Sequence, residues 1–437
     1  MDISMRPTPP SKSEVRDYSE RAVEMIKYVL QNFGPREPGS ASELKTQEFF
    51  SEELKKITPK VELQSFPVAP MGLLFFLPLT GIMVFFSSAV TFKYPIIGFL
   101  GILLSLIVIY LQFGRYMRVI DILLPQKESC NVVATLSPTT GIVNRRLILC
   151  GHADSAYEMR FNRWGTTYIR FAVLVLIVTY VILISLSLLS VYEYLIWRNS
   201  EVAFLPVWLK KISLILGSIY GIVALGFVDF TKVVPGANDN LSGSVSAIEV
   251  LRWFSNHPLE LQNTELICLI TGSEEAGLRG AYAYIEKEVC NLRKIPTAVI
   301  AIDTLGDYSE LGVVVRDMNG LISHHKGVVS LVYQAGLDCG ISLKPVVIYL
   351  GSSDATVFSK NRIPASALVA MDPSPAPYYH TRVDNLESLN KDTILEGMRI
   401  LIQAVRNFDR NGLPDSGPVP IGSKKEAHQV TEGFTVG

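Results

Sequence analysis

Charge is scarce in this chain. Asp, Glu, Lys and Arg make up 19% of its 437 residues, against about 25% in an ordinary soluble domain. Neither sign dominates, since 40 basic residues face 41 acidic ones for a formal net charge of −1. That balance gives no electrostatic footprint for nucleic acid, and nucleic acid is set aside as a partner. A disordered chain is excluded too, because disorder needs low hydrophobicity and high net charge, whereas hydrophobic residues reach 49% here. Cysteine is also sparse. Cys130, Cys150, Cys268, Cys290 and Cys339 are odd in number and far apart, which is no disulfide framework and suits a reducing compartment.

The shortage of charge is local. Leu63 to Phe92 has none, and from Met71 onward this stretch is strongly apolar. Tyr94 to Gly114, Phe171 to Tyr192 and Ile212 to Val228 are likewise uncharged. A helix crosses a bilayer with about 17–25 apolar residues, so these runs predict four transmembrane helices, the last at the short limit. Burying all four inside one soluble domain is the alternative, and the remaining chain offers little core for it. The runs form two hairpins, 71–114 and 171–228, turning at Thr91 to Pro95 and at Glu193 to Lys211. The second turn holds Tyr194, Trp197 and Trp208, with Tyr192 just before it, aromatics that favour the headgroup level.

Two hairpins cross an even number of times, which places residues 1–70, 115–170 and 229–437 on one side. Arg115, Arg118, Arg160, Arg163, Arg170 and Lys232 flank that side, against Lys93, Arg198, Lys210 and Lys211 at the tips. Six against four favours a cytoplasmic polar domain. Met1 to Arg21 lacks the apolar core of a signal peptide, in keeping with that side. The expectation is a multi-pass protein of the lipid bilayer with four spans.

Without the hairpins, segments 1–70, 115–170 and 229–410 make one discontinuous domain, and 411–437, rich in Gly, Pro, Ser and Lys, reads as a flexible tail. Ser13 to Phe33 and Ser42 to Ile57 read as amphipathic helices. Val61 to Val68 and Asn131 to Leu136 read as strands. Arg146 to Cys150, Glu265 to Thr271, Ala298 to Ile302 and Ala367 to Ala370 are short apolar runs of the kind buried on both faces of a sheet. Helical stretches at Gly243 to Ser255, Gly277 to Val289 and Gly327 to Gly336 alternate with them. The expected fold class is α/β, a mostly parallel central sheet flanked by helices.

Five polar clusters fall at or near the ends of these elements. They are Gly-His152-Ala-Asp154-Ser, Gly236-Ala-Asn-Asp239-Asn-Leu-Ser-Gly243, Gly272-Ser-Glu274-Glu275-Ala-Gly277, Asp303 after Ile302, and Tyr379-His380-Thr-Arg-Val-Asp384. Sites in open α/β sheets form beyond the carboxyl ends of the strands, where such residues converge. Two His and several carboxylates without clustered Cys suit zinc or a related divalent ion. A carboxylate can bridge two ions about 3.5–4 Å apart, and of two adjacent Glu one can bind metal while the other takes a proton. Singly, each has an ordinary reading. His152 could be a buried or capping histidine, Asp239 a helix cap, Glu274 and Glu275 a solvated first turn, and Asp303 a turn residue.

In order, these clusters resemble the co-catalytic zinc aminopeptidase family, which includes bacterial leucyl aminopeptidase, aminopeptidase Y and the glutamate carboxypeptidases. Gly34-Pro-Arg-Glu-Pro-Gly-Ser40 and Ser353-Asp354 with Phe358 extend the likeness over nearly all of the polar domain. The resemblance implies a zinc exopeptidase fold acting on peptide substrates. It implies two Zn2+, one held by His152 and Asp303, the other by Glu275 and His380, with Asp239 bridging. Glu274 would be the general base, and Asp154 would orient His152. The segment Ser353-Asp354-Ala355 departs from the family, which often has His where this chain has Ala355. The hairpins depart more, since soluble members lack them.

About 18 residues separate His152 from Phe171 and about ten separate Val228 from Asp239, and ten extended residues reach about 35 Å. The site is therefore expected near the bilayer surface. The function expected is a membrane-anchored exopeptidase, most simply an aminopeptidase. The alternatives are carboxypeptidase or dipeptidase action, a non-catalytic receptor or scaffold, and a transporter with a regulatory soluble part. His324 and His325 are a weaker metal candidate, and His257 and His428 read as solvent-facing. No oligomeric state is expected from the sequence.

Overall fold

The computed structural model describes residues 8–196, 206–372 and 374–415. The expected tail beyond Asp415, the hairpin-tip residues Trp197 and Arg198, and His428 lie outside the described residues.

The chain opens with two capped helices. The Ser11 hydroxyl accepts from Glu14 N while the Glu14 carboxylate accepts from Ser11 N, a reciprocal cap for α1 (Lys12–Asn32). Ser40 caps α2 (Ala41–Lys55). After β1 (Val61–Val68) comes the first helical hairpin, α3 (Phe76–Val90) and α4 (Pro95–Ile109), then β2 (Lys127–Leu136) and β3 (Arg145–His152). A ribbon of β4 (Tyr157–Met159) and β5 (Val228–Val233) brackets α5 (Arg160–Trp164) and the second hairpin, α6 (Thr166–Ile196) and α7 (Val207–Gly226). The chain continues through α8 (Gly243–Asn256), β6 (Thr264–Thr271), α9 (Arg279–Leu292), β7 (Thr297–Leu305), β8 (Leu311–Asp317), β9 (Ile322–Ser323), α10 (Lys326–Asp338), β10 (Lys344–Val347), α11 (Ala355–Lys360), β11 (Ala365–Ala370) and α12 (Lys391–Asn411).

Nine of the described strands form one sheet in the order β1-β2-β6-β3-β7-β11-β8-β10, with β9 on β8. Its centre is parallel: β6, β3, β7 and β11 run together. The outer pairs β1–β2, β2–β6, β11–β8 and β8–β9 are antiparallel. The sheet is thus mixed rather than mostly parallel. The apolar runs that suggested a parallel sheet belong to the central strands, which are covered on both faces. Leu147 and Leu149 of β3 pack with Ile26, Ile248 and Met398, while Ile148 and Cys150 pack on the other face with Tyr284 and Phe358. Edge strand β1 instead alternates buried and exposed residues over its second half, as an antiparallel strand with one solvated face does.

α12 has no counterpart among the expected helices, although Asn390 caps it and Ile394, Met398, Leu401, Val405 and Phe408 lie in the core. Arg399, Gln403, Asn407 and Asp409 are buried as well, beside an apolar stripe that recurs at helical spacing. The other expected helices and strands fall within a few residues of their observed bounds.

Among the described residues three helices are long and apolar enough to cross a membrane: Pro95–Gly114, which is α4 and its continuation, Thr166–Ile196 and Trp208–Gly226. The expectation of four is not met by α3. Its 15 residues rise about 22 Å at 1.5 Å each, less than the roughly 30 Å hydrocarbon core. Met71 to Phe75 form turns instead of helix, because Leu73 packs into the sheet-domain core with Tyr116 and Leu278. The helices touch through small residues. A Cβ added at Gly217 would fall 2.7 Å from Ser88 Cβ, and one at Gly81 would fall 3.1 Å from Ala224 Cβ, so α3 and α7 approach closely. Ser105 Oγ and Tyr180 Oη, 2.7 Å apart, join α4 to α6.

Both hairpins are rooted in the sheet domain. Gln112 donates to Gly72 O at 2.7 Å and accepts from Val119 N and Ile120 N, closing the base of the first hairpin. Arg279 of α9 then holds Asp121 at 3.0 Å. At the second, Met159 pairs with Val228. Arg170 at the start of α6 donates to Ser374 O and Oγ, 2.7 Å each.

Candidate metal centre

The four parallel strands β6, β3, β7 and β11 present their carboxyl ends along one edge. His152 ends β3, and Glu274 and Glu275 follow β6. Asp303 lies inside β7, which runs to Leu305 rather than stopping at Ile302, and His380 sits on the loop after β11. Asp239 enters from the segment Ala237–Ser242, which leads into α8. α8 starts hard against β3, so that a Cβ on Gly151 would fall 2.7 Å from Ser244 N.

The structure brings all six of these side chains together, and Asp239 is at the centre. Its Oδ1 lies 3.3 Å from His152 Nε2 and its Oδ2 lies 3.2 Å from His380 Nε2. His380 Nε2 is also 3.1 Å from Glu275 Oε1, and His152 Nε2 is 4.0 Å from Asp303 Oδ1. Glu274 Oε2 stands 3.9 Å from His152 Nε2. Three overlapping groups of potential ligand atoms result: His152, Asp239 and Asp303; Asp239, Glu275 and His380; His152, Glu274 and Glu275, each within 4.8 Å.

Charge in this cluster is unbalanced. Burial works against both imidazolium ions, but Glu274, Asp154 and Asp239 hold His152 well above its usual range, and Glu275 and Asp239 carry His380 up to about 10. Burial would raise Asp239, yet His152 and His380 hold it far below the usual carboxylate range. Burial and the neighbouring Asp239 push Asp303 up to about 7. Burial, reinforced by Glu275, Asp354 and Asp303, raises Glu274 well above its ordinary value despite His152. Four buried or half-buried carboxylates against two imidazoles leave excess negative charge, the setting in which a cation is held. Imidazole nitrogen and carboxylate oxygen without thiolate fit zinc.

A second set of residues fixes the loops. Asp154 lies 3.3 Å from His152 Nδ1 and accepts from Glu274 N (3.0 Å) and Glu275 N (2.9 Å), so one carboxylate orients the imidazole and the adjacent loop. Asp384 does the same for Asp239, accepting from Asn238 N and Asp239 N at 2.8 and 3.0 Å. Arg36 is fully buried and donates to Ala153 O (2.6 Å), Pro235 O (2.7 Å) and Gly236 O (2.9 Å), stapling the His152 and Asp239 loops together. Glu43 accepts from Ser273 N (2.6 Å) and Gly39 N (2.7 Å).

Sequence reasoning assigned no role to Asp384, Arg36 or Glu43. Asp384 and Arg36 stood in segments already singled out. Glu43, in the first turn of α2, carries the signal of an ordinary helix-start acid and nothing more. Ala355 is buried at the start of α11, outside the cluster. His324 is elsewhere too, 3.3 Å from Asp317 Oδ2 and 2.9 Å from Ser359 Oγ. His325 caps α10.

Residues 221–405 match peptidase family M28. The match starts inside α7 and takes in Asp239, Glu274, Glu275, Asp303 and His380. No curated protein matches this chain. Among solved structures the fold is similar to an aminopeptidase from Aneurinibacillus sp. strain AM-1, at 15% identity and TM-score 0.53, covering 94% of this chain and 99% of that one. It is similar to a Zn-dependent exopeptidase from Parabacteroides distasonis (14%, TM-score 0.52, 89% and 98% covered). A glutaminyl cyclase from an Acidobacteriales bacterium is as near (13%, TM-score 0.53, 94% and 100% covered). At such identities the likeness is one of fold, and fold does not select a reaction. The family match over 221–405 takes in less than half of the chain, and together with this fold it supports a metallopeptidase.

Proposed function

We propose that the chain is a membrane-anchored exopeptidase, an aminopeptidase, working with two zinc ions. His152 and Asp303 would hold one, Glu275 and His380 the other, and Asp239 would serve both. The observation that carries this is the position of Asp239, with one oxygen toward each imidazole. Zinc, when bound, supplies Lewis acidity toward a peptide carbonyl and toward water. Glu274 belongs to neither ligand group centred on Asp239, and its raised pKa suits a proton carrier. It takes a proton from the attacking water and delivers it to the leaving amine. Asp154 keeps His152 and the Glu274–Glu275 loop in register.

A carboxypeptidase needs a cation for the substrate's terminal carboxylate. Arg170, the basic residue on the wall of the cavity over the site, already gives two nitrogens to Ser374, which favours the aminopeptidase. The discontinuous catalytic domain (1–70, 115–170, 229–410) would sit on the cytoplasmic face, with both hairpins in the bilayer. Supporting this, each hairpin leaves and re-enters at paired strands, β1 with β2 and β4 with β5.

Mass spectrometry of free and N-acetylated peptides incubated with purified protein tests the activity. Stepwise loss of N-terminal residues from free peptides only, absent in Glu274→Gln, is expected. Trimming from the C-terminus would overturn the aminopeptidase reading. Exposed Cys290 reports orientation, and an impermeant maleimide added to intact cells should leave it unlabelled until they are permeabilised.

A further inference from the structure

The catalytic cluster and the apolar helices share one cavity. It measures about 680 Å3, and its wall includes His152, Asp239, Glu274, Glu275, Asp303 and His380. The same wall continues over Leu77 of α3, Leu106 and Ile109 of α4, and Val173, Leu176 and Ile177 of α6. Along α6 it runs from Ile169 to Val181, about 18 Å at 1.5 Å per residue. One leaflet of a bilayer is about 15 Å of hydrocarbon, half of the roughly 30 Å core.

We infer that the substrate of this site is an amide carrying a long hydrocarbon chain, the chain lying between α4 and α6 while the amide reaches the metal cluster. The inference rests on the peptidase reading above for the bond that is broken, and adds what the substrate must carry. A transmembrane helix does not suit the site, because its peptide groups are tied up in its own hydrogen bonds and cannot be presented to the cluster unless it unwinds. An extended peptide is thin enough, but its N–H and C=O groups need partners, and the helix-side wall is apolar. Tyr180, a polar exception there, already bonds Ser105 Oγ at 2.7 Å and Ile102 O at 2.6 Å. A hydrocarbon chain asks for none.

The test uses full-length protein in lipid nanodiscs with zinc, and two substrate series, leucyl-n-alkylamides and N-acyl-leucines, with chains of four to ten carbons. A buried methylene contributes up to about a fourfold factor, and kcat/KM is expected to rise at least about tenfold from the shortest to the longest member of one series. In Leu106→Trp or Val173→Trp, each filling the wall, the long-to-short ratio should fall toward one. In Ile222→Trp, on the outer face of α7 at 71% exposure, the ratio should persist. Binding is read separately by photolabelling with a diazirine-bearing palmitic acid, with adducts expected on Leu106–Ile109 and Val173–Val181 and displaced by leucyl-decylamide but not by leucyl-butylamide. A flat ratio in both series overturns the inference even where tripeptides are cleaved. Adducts on this wall that no substrate displaces assign the cavity to a resident bilayer lipid and overturn it as well. If nothing is hydrolysed the peptidase reading fails, and the displacement experiment alone then decides for or against the chain.

Discussion

The sheet domain and the helix bundle are held by opposite means. In the sheet domain, buried charge is abundant and directed at backbone: Asp154 and Asp384 accept from the N–H groups of ligand loops, and Arg36 donates to three loop carbonyls. In the bundle, Gly81, Gly217, Ser88 and Ala224 let bare backbones meet, and Ser105 and Tyr180 add a side-chain hydrogen bond between α4 and α6. Ångström positioning of ligands needs directional bonds, which a low-dielectric interior strengthens. Helices placed in lipid, as proposed for this bundle, gain little from burying apolar surface against each other and rely on close packing. Perturbing the first region should therefore damage chemistry, and perturbing the second should damage assembly.

The largest effect is expected at Asp239. Asp239→Asn should lose activity and drop bound zinc below one per chain by elemental analysis, whereas Glu274→Gln should lose about 10²–10⁴-fold in kcat with zinc retained. Equal zinc loss in both would break the division between ligand and base. Asp154→Ala should weaken metal affinity about 10–100-fold, measured by competition with a chelating dye. Arg36→Met leaves the carbonyls of Ala153 and Pro235 without their Arg36 partner, at about 1–3 kcal/mol for each. Thermal unfolding should show the loss, and zinc binding should weaken with it.

The bundle should respond differently. Gly217→Leu overpacks the α3–α7 contact at a cost of about 1–3 kcal/mol, lowering resistance to detergent unfolding while zinc content stays at the wild-type value. Ser105→Ala should cost least, about 0.6 kcal/mol, and a double-mutant cycle with Tyr180→Phe would isolate it. A loss of zinc in either bundle variant would show that the two regions are not independent and would implicate the Arg170–Ser374 link toward His380.

Much of the site could be read in advance because its residues sit at the ends of apolar strands, and strand ends are local features. His152, Asp239, Glu274, Glu275, Asp303 and His380 were each visible as a polar break after or before an apolar run. Arg36 was not legible as a staple, since the loop carbonyls it joins, those of Ala153, Pro235 and Gly236, lie 117 to 200 residues away. α12 was missed although Ile394, Met398, Leu401, Val405 and Phe408 recur at helical spacing. α3 was read too long because hydropathy counts Met71 to Phe75 as apolar without knowing that Leu73 is needed in the neighbouring core.

Composition and order along the chain were enough to separate the polar domain from the apolar helices, to single out the polar clusters that converge and to indicate the fold class, because hydrophobic period and strand-end polarity are properties of short segments. The antiparallel edges of the sheet, the joining of metal cluster and helices in one cavity, and the orientation of Asp239 toward two imidazoles were settled only by packing. They depend on which distant segments become neighbours, and no local pattern carries that information.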